Sequence, residues 1–163
     1  MHVERTIVFE ADLQAVQSVL VSDELARARA ASGRLDPPAH TLKNEETAPV
    51  AVTSITVPAS RLPAKARRFL SKDTTATITQ TWDGVGPDRA SADFTVDVGS
   101  LPVKVRLTQT LTASGGSTTS TYSGDVKVSI PFVGAKIEQA AASHIDEILS
   151  ADQRLVNDIL RQR

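Results

Sequence analysis

The chain has 163 residues, no cysteine, and 18 Lys and Arg against 19 Asp and Glu, for a net charge of −1. That length suits one domain, residues 1–163, with a core that needs no covalent staple, and the missing thiols exclude disulfides and thiolate metal sites. Balanced charge removes the electrostatic pull of a nucleic-acid binder. Six aromatic residues, Phe9, Phe69, Trp82, Phe94, Tyr122 and Phe132, leave little to stack on bases or planar cofactors. No nucleic-acid partner and no cofactor are therefore expected.

Met1-His2-Val3-Glu4-Arg5 is charged and alternating, unlike a signal peptide, and no stretch is apolar enough to span a bilayer, so a cytoplasmic protein is the expectation. Val3, Ile7 and Phe9 alternate with polar neighbours and predict a first strand over residues 2–10. Leu13, Val16 and Leu20 then take helical spacing, and Ser22-Asp23-Glu24 reads as an N-cap followed by acids in the first turn of a second helix. Gly33 stops that helix and Asp36-Pro37-Pro38 keeps the chain extended. A polar strand over His40–Glu46 and an apolar one from Val50 to Val57 follow.

Ser60 to Lys72 is the sharpest charge feature. Leu62, Ala66, Phe69 and Leu70 share one helical face beneath Arg61, Lys65, Arg67, Arg68 and Lys72, which predicts a short basic amphipathic helix. Its apolar face is expected to pack on the domain; contact with an anionic membrane surface through residues 61–72 is the alternative.

Clear alternation resumes with Ile78, Gln80 and Trp82; with Ala92, Phe94, Val96 and Val98; and with Val103, Val105, Leu107 and Leu111. One wet face per strand is expected of an antiparallel sheet covered on one side. Asp83 to Asp88 and Ser114-Gly115-Gly116-Ser117 supply hairpin turns. Ser123-Gly124 reads as a bulge or bend in the last strand. That strand continues through Val126, Val128 and Ile130 into Pro131-Phe132-Val133-Gly134, where Phe132 and Val133 are expected to plug the end of the core. From residue 135 onward, Ile137, Ala141, Ile145, Ile148, Ala151, Leu155 and Ile159 form one helical stripe that must lie against the sheet.

Strand, two short helices, a run of antiparallel strands and a long C-terminal helix resemble the helix-grip fold of the START-like (SRPBCC) superfamily. Residues Val126 to Glu138 look like the strand-to-helix junction of an uncharacterised bacterial branch, a domain of unknown function. The resemblance implies an α+β fold in which a curved antiparallel sheet wraps around the C-terminal helix, with two short helices after the first strand. It also implies a cavity for hydrophobic ligands, and brings no catalytic residues.

The lining expected from alternation and helix projection is Trp82, Phe94, Val96, Val105, Leu107 and Val128, with Ile137, Ala141, Ile145 and Ile148 from the helix. His144, projected at the edge of the stripe, and Tyr122 are the polar candidates for orienting a ligand. Asp152 lies about 12 Å from His144 along the helix and forms no dyad with it. The face taken by Tyr122 or Arg5 depends on strand register. The histidines have no metal-ligand spacing, and no nucleophile elbow is present.

A START-like protein that binds a hydrophobic small molecule or lipid is therefore the expected function. A cyclase- or dehydratase-type enzyme using His144 as acid or base, and an interaction module with a filled core, are the alternatives. Oligomeric state is left open by the sequence.

Overall fold

A computed structural model describes residues 1–62, 64–68, 72–99 and 101–163. Strand β1, His2–Phe9, leads into helices α1, Leu13–Leu20, and α2, Asp23–Ser32. Strands β2, Ala39–Lys43, and β3, Val50–Val57, precede a 3-10 turn at Ala59–Arg61 and the four-residue helix α3, Ala64–Arg67. Four longer strands follow, β4 (Thr74–Trp82), β5 (Arg89–Val98), β6 (Val103–Ser114) and β7 (Ser117–Val128), before helix α4, Gly134–Gln162. The strands form one antiparallel, curved sheet in the order β1-β7-β6-β5-β4-β3-β2. Strands β2 to β7 therefore make a meander, and β1 closes the edge beside β7.

Local chemistry accounts for the element ends. Asp12 accepts a hydrogen bond from the Ala15 amide at 2.9 Å and starts α1; Ser22 Oγ accepts from the Leu25 amide at 3.1 Å and starts α2. Gly33 is the C-cap of α2, although the left-handed residue is its neighbour Arg34, at φ 54°. Gly115 and Gly116 take φ values of 56° and 87° in the β6–β7 hairpin, a turn whose positive angles suit glycine.

The β6–β7 register runs without interruption from Val103↔Val128 to Ser114↔Ser117, so the expected bulge at Ser123-Gly124 is absent. Gly124 serves instead as a point of close approach: a Cβ there would stand 2.2 Å from the Arg106 carbonyl oxygen and 2.7 Å from Leu107 Cα. Gly134 does the same at the start of α4, where a Cβ would meet the Val128 carbonyl oxygen at 2.3 Å. Phe132 does not plug the core. It is fully exposed at φ 69°, in a turn tied to the strand end by the Gly134 amide donating to the Ile130 carbonyl at 2.9 Å.

The inward stripe of α4 also differs from the expected one. It carries Glu138, Ala142, Ile145, Leu149, Asp152, Val156 and Ile159, alternate spacings of four and three, and so includes two carboxylates. Glu138 accepts from the Val128 amide at 2.8 Å and faces the N-terminal amine at 3.5 Å; the Val128 amide foremost holds its carboxyl below the usual range. Beneath the C-terminal third of α4 lies a dense core built by Phe9, Leu13, Val16, Leu25, Trp82 and Leu111 with their neighbours. A smaller cluster of Val3, Leu107, Tyr122 and Val126 lies under the middle of the helix.

Replacing Gly124 with alanine should cost about 1–3 kcal/mol in urea unfolding, because backbone rather than a flexible side chain blocks the new methyl. Gly84→Ala, whose Cβ would have nothing nearer than 3.9 Å, is the control and should stay within about 0.5 kcal/mol of the parent.

Candidate functional site

Alongside the second cluster, α4 and the sheet border a half-open cavity of about 490 Å³. Register explains its floor: Phe94 pairs with Leu107, Val96 with Val105 and Ile78 with Val96, so these side chains project from one face of three adjacent strands. Ile55 of β3 and Tyr122 of β7 complete the sheet side. The roof is Ile145, Ile148, Leu149, Ala151, Asp152 and Leu155 of α4, and the end wall is Arg29, Ser32 and Gly33 from α2 and its cap.

Polar chemistry concentrates at that end wall. Arg29 grips Asp152 through two bonds, Nε to Oδ1 at 2.5 Å and Nη2 to Oδ2 at 2.8 Å. Burial works against the guanidinium's charge, but the Asp152 carboxylate outweighs it and raises the Arg29 pKa. Tyr122 packs edge-on against Phe94 with centroids 6.4 Å apart, and its hydroxyl oxygen accepts from Gln109 Nε2 at 2.7 Å. Gln109 Nε2 also donates to Ser120 Oγ at 3.0 Å. Burial, and then the nearby Asp152 charge, push the Tyr122 phenol far above its ordinary 10.0, so it is a neutral donor throughout the physiological range. Gln80 Oε1, Trp82 Nε1 and Gln109 Oε1 are buried without a hydrogen-bond partner among the described residues.

Of the residues expected to line a cavity, Phe94, Val96, Val105, Leu107, Tyr122, Ile145 and Ile148 do border it, Ile148 at the rim with 62% of its surface exposed. Trp82 does not. It shares the sheet face but lies at the closed end, packed with Ala90, Ala92 and Val156. Val128 borders a shallow concavity at the β7–α4 junction instead. Ile137 is half-buried away from the cavity, and Ala141 is exposed, because the inward stripe follows 138, 142 and 145. His144 points outward as well, 66% exposed and 3.5 Å from Glu147, so it reaches nothing in the cavity. Arg5 pairs with Asp146 at 2.5 Å, outside the cavity. In the 61–72 segment, α3 is only four residues long; Phe69 and Leu70 and the side chains of Lys65 and Ala66 lie outside the described residues.

Sequence reasoning missed the Arg29–Asp152 pair and Leu149. A signal was present: residues 138, 142, 145, 149, 152, 156 and 159 form an unbroken spacing of four and three, and a carboxylate on such a stripe demands a cation from another element.

A curved antiparallel sheet gripping one long C-terminal helix above an apolar cavity is the START-like, helix-grip arrangement. The chain belongs to the family described as "Protein of unknown function (DUF2505)", which matches residues 4–160. Solved structures of this fold include Ara h 8.0201, at TM-score 0.62 and 10% identity over 100% of this chain and 99% of that one. The Zhui aromatase/cyclase of a Streptomyces species matches at TM-score 0.56 and 13% identity, over 100% and 94% of the two chains. Norcoclaurine synthase from Thalictrum flavum matches at 0.52 and 11%, over 100% and 87%. No curated protein matches the chain. Among the described residues, no helix is long and apolar enough to cross a membrane.

Asp152→Ala should lower stability by about 3 kcal/mol in urea unfolding, because Arg29 is left charged and unpaired at 23% exposure. The Arg29→Met, Asp152→Leu double variant should lose much less. The chain has one tyrosine, so absorbance at 295 nm reports Tyr122 alone. No phenolate should appear as the pH passes 10.0 while the fold persists. The folded value lies above the unfolded one, so this stabilisation is complete below the unfolded value and declines as pH rises beyond it, a decline that Tyr122→Phe should remove.

Proposed function

We propose that this protein binds a hydrophobic small molecule or lipid in the cavity between sheet and α4, acting by sequestration rather than by chemistry on the ligand. The observation that carries the reading is a cavity of about 490 Å³ whose walls are almost wholly aliphatic and aromatic, with polar groups gathered at one end. Apolar contact of about 25 cal/mol per Å² supplies affinity in such a site, and the polar end sets orientation. Phe94, Val96, Val105, Leu107, Ile145 and Ile148 would hold the apolar body, with Tyr122 at its polar end. An enzyme remains the second reading because an aromatase/cyclase and norcoclaurine synthase share the fold. His144 cannot serve it, since its ring lies in solvent.

Native mass spectrometry of the purified protein, with extraction and identification of what is released, should show a stoichiometric apolar adduct. Leu107→Trp, which fills the cavity floor, should lose that adduct at least tenfold while keeping the parent circular dichroism. Equal loading of the two proteins would contradict the reading.

Contact with an anionic membrane surface belongs to the same proposal. Val57 pairs with Thr74, Ala76 with Val98 and Val103 with Val128, so the 58–73 connection and the Phe132 turn leave the same end of the sheet. Exposed Arg61, Arg67, Arg68 and Lys72 there complement acidic headgroups, and Phe132 offers an unburied ring. The protein should co-sediment with vesicles rich in phosphatidylserine and not with pure phosphatidylcholine, and Phe132→Ser with Arg67→Glu should weaken this severalfold. Equal sedimentation with both vesicles, or with neither, would refute the contact.

A further inference from the structure

We propose that the cavity selects a neutral apolar molecule carrying one hydrogen-bond-accepting oxygen, of the ketone, aldehyde or ester class, seated against the Tyr122 hydroxyl beside the Arg29–Asp152 pair. This rests on the ligand-binding reading above and names the chemistry of the ligand's polar end.

The count of donors and acceptors at the end wall leads there. Tyr122 is 95% withdrawn from solvent, with 5% of its surface exposed, yet it borders the cavity. Its oxygen is already an acceptor for Gln109 Nε2, and Ser120 Oγ accepts the second hydrogen of the same amide. The network therefore runs outward from Gln109 and ends in hydroxyl protons left to donate. Arg29 has five N–H groups and Asp152 engages two nitrogens, Nε and Nη2; among the described residues no other acceptor meets the guanidinium. The unmet donors, the Tyr122 hydroxyl and the free Arg29 N–H groups, belong to residues that line the cavity, whereas Gln109, whose Oε1 is the unmet acceptor of the network, does not border it.

A pure hydrocarbon would cover those buried donors without satisfying them, which is costly. A carboxylate would bring a second negative charge beside Asp152, whose own charge is already balanced by Arg29. Burial, and then the same Asp152 charge, raise the Tyr122 phenol above its ordinary 10.0. A carbonyl oxygen meets the donors and adds no charge.

Three probes of one size separate the cases in equilibrium dialysis: 2-acetylnaphthalene, 2-ethylnaphthalene and 2-naphthoate. The ketone should bind about tenfold tighter than the hydrocarbon, the value of one net hydrogen bond, and the carboxylate should bind weakest. Tyr122→Phe should erase the ketone's advantage over 2-ethylnaphthalene; the wild-type order decides the matter even if that variant does not fold. Equal affinity for the two neutral probes, or tightest binding of 2-naphthoate, would overturn this inference and leave the ligand-binding reading standing. Failure of all three probes to bind wild type, with Leu107→Trp indistinguishable from it, would overturn both.

Discussion

The Arg29–Asp152 ion pair governs how the C-terminal helix sits on the sheet. On its C-terminal side, Val156 and Ile159 are buried at 0% and 6% exposure in the main core. On its N-terminal side, Ala142, Ile145 and Leu149 are only partly buried and Ile148 is mostly exposed. A two-pronged ion pair fills the boundary between these regions with groups that must stay hydrogen-bonded and cannot be compressed into aliphatic packing. Beside it the helix packs on β1 and β7 and leaves the β3–β5 side of the concave face uncovered, and the space so left is the cavity. Glu138 fixes the far end of the helix to the last strand and to the N-terminal amine, so α4 is anchored on both sides of the open region.

The sheet contributes the complementary shape. Gly124 lets β6 and β7 approach where any side chain would strike the Arg106 carbonyl, and Ala90 and Ala92 leave room at the closed end for Trp82. Helices α1 and α2 and the end of α4 fill the concave face at one end, and at the other it stays open beneath Ile145. Close packing of buried side chains beneath α1, α2 and the end of α4 gives stability, while the neighbouring region stays open.

Much of the architecture was legible in the chain because it rests on local rules. Period-two alternation placed Phe94, Val96, Val105 and Leu107 on one face, and Ser22 marked the start of α2 by its capping chemistry. The same alternation could not distinguish Trp82 from Phe94: both face inward, and only their positions along the curved sheet separate core from cavity. The helix was misread in rotation for a physical reason. A stripe drawn through apolar residues alone took in Ile137 and Ala141, left out Glu138 and Asp152, and put His144 at its edge. Both carboxylates in fact face inward, each held by a partner more than a hundred residues away or on another element, as Arg29 is for Asp152. Such long-range pairing has no periodic signature. Phe132 escaped for a related reason: hydropathy assigns a phenylalanine to the core, while its left-handed backbone turns it out to solvent.

Ligand binding by this fold requires the region beneath Ile145 to be open space bounded by apolar atoms. Crystals of the protein pressurised with xenon test this directly, since the gas binds dry apolar cavities and is located by its anomalous scattering. A peak bounded by Phe94, Leu107 and Ile145, absent from Leu107→Trp crystals, is the predicted result. No peak, with α4 settled onto Phe94 and Leu107, would contradict an open cavity and make the fold's interior a closed core.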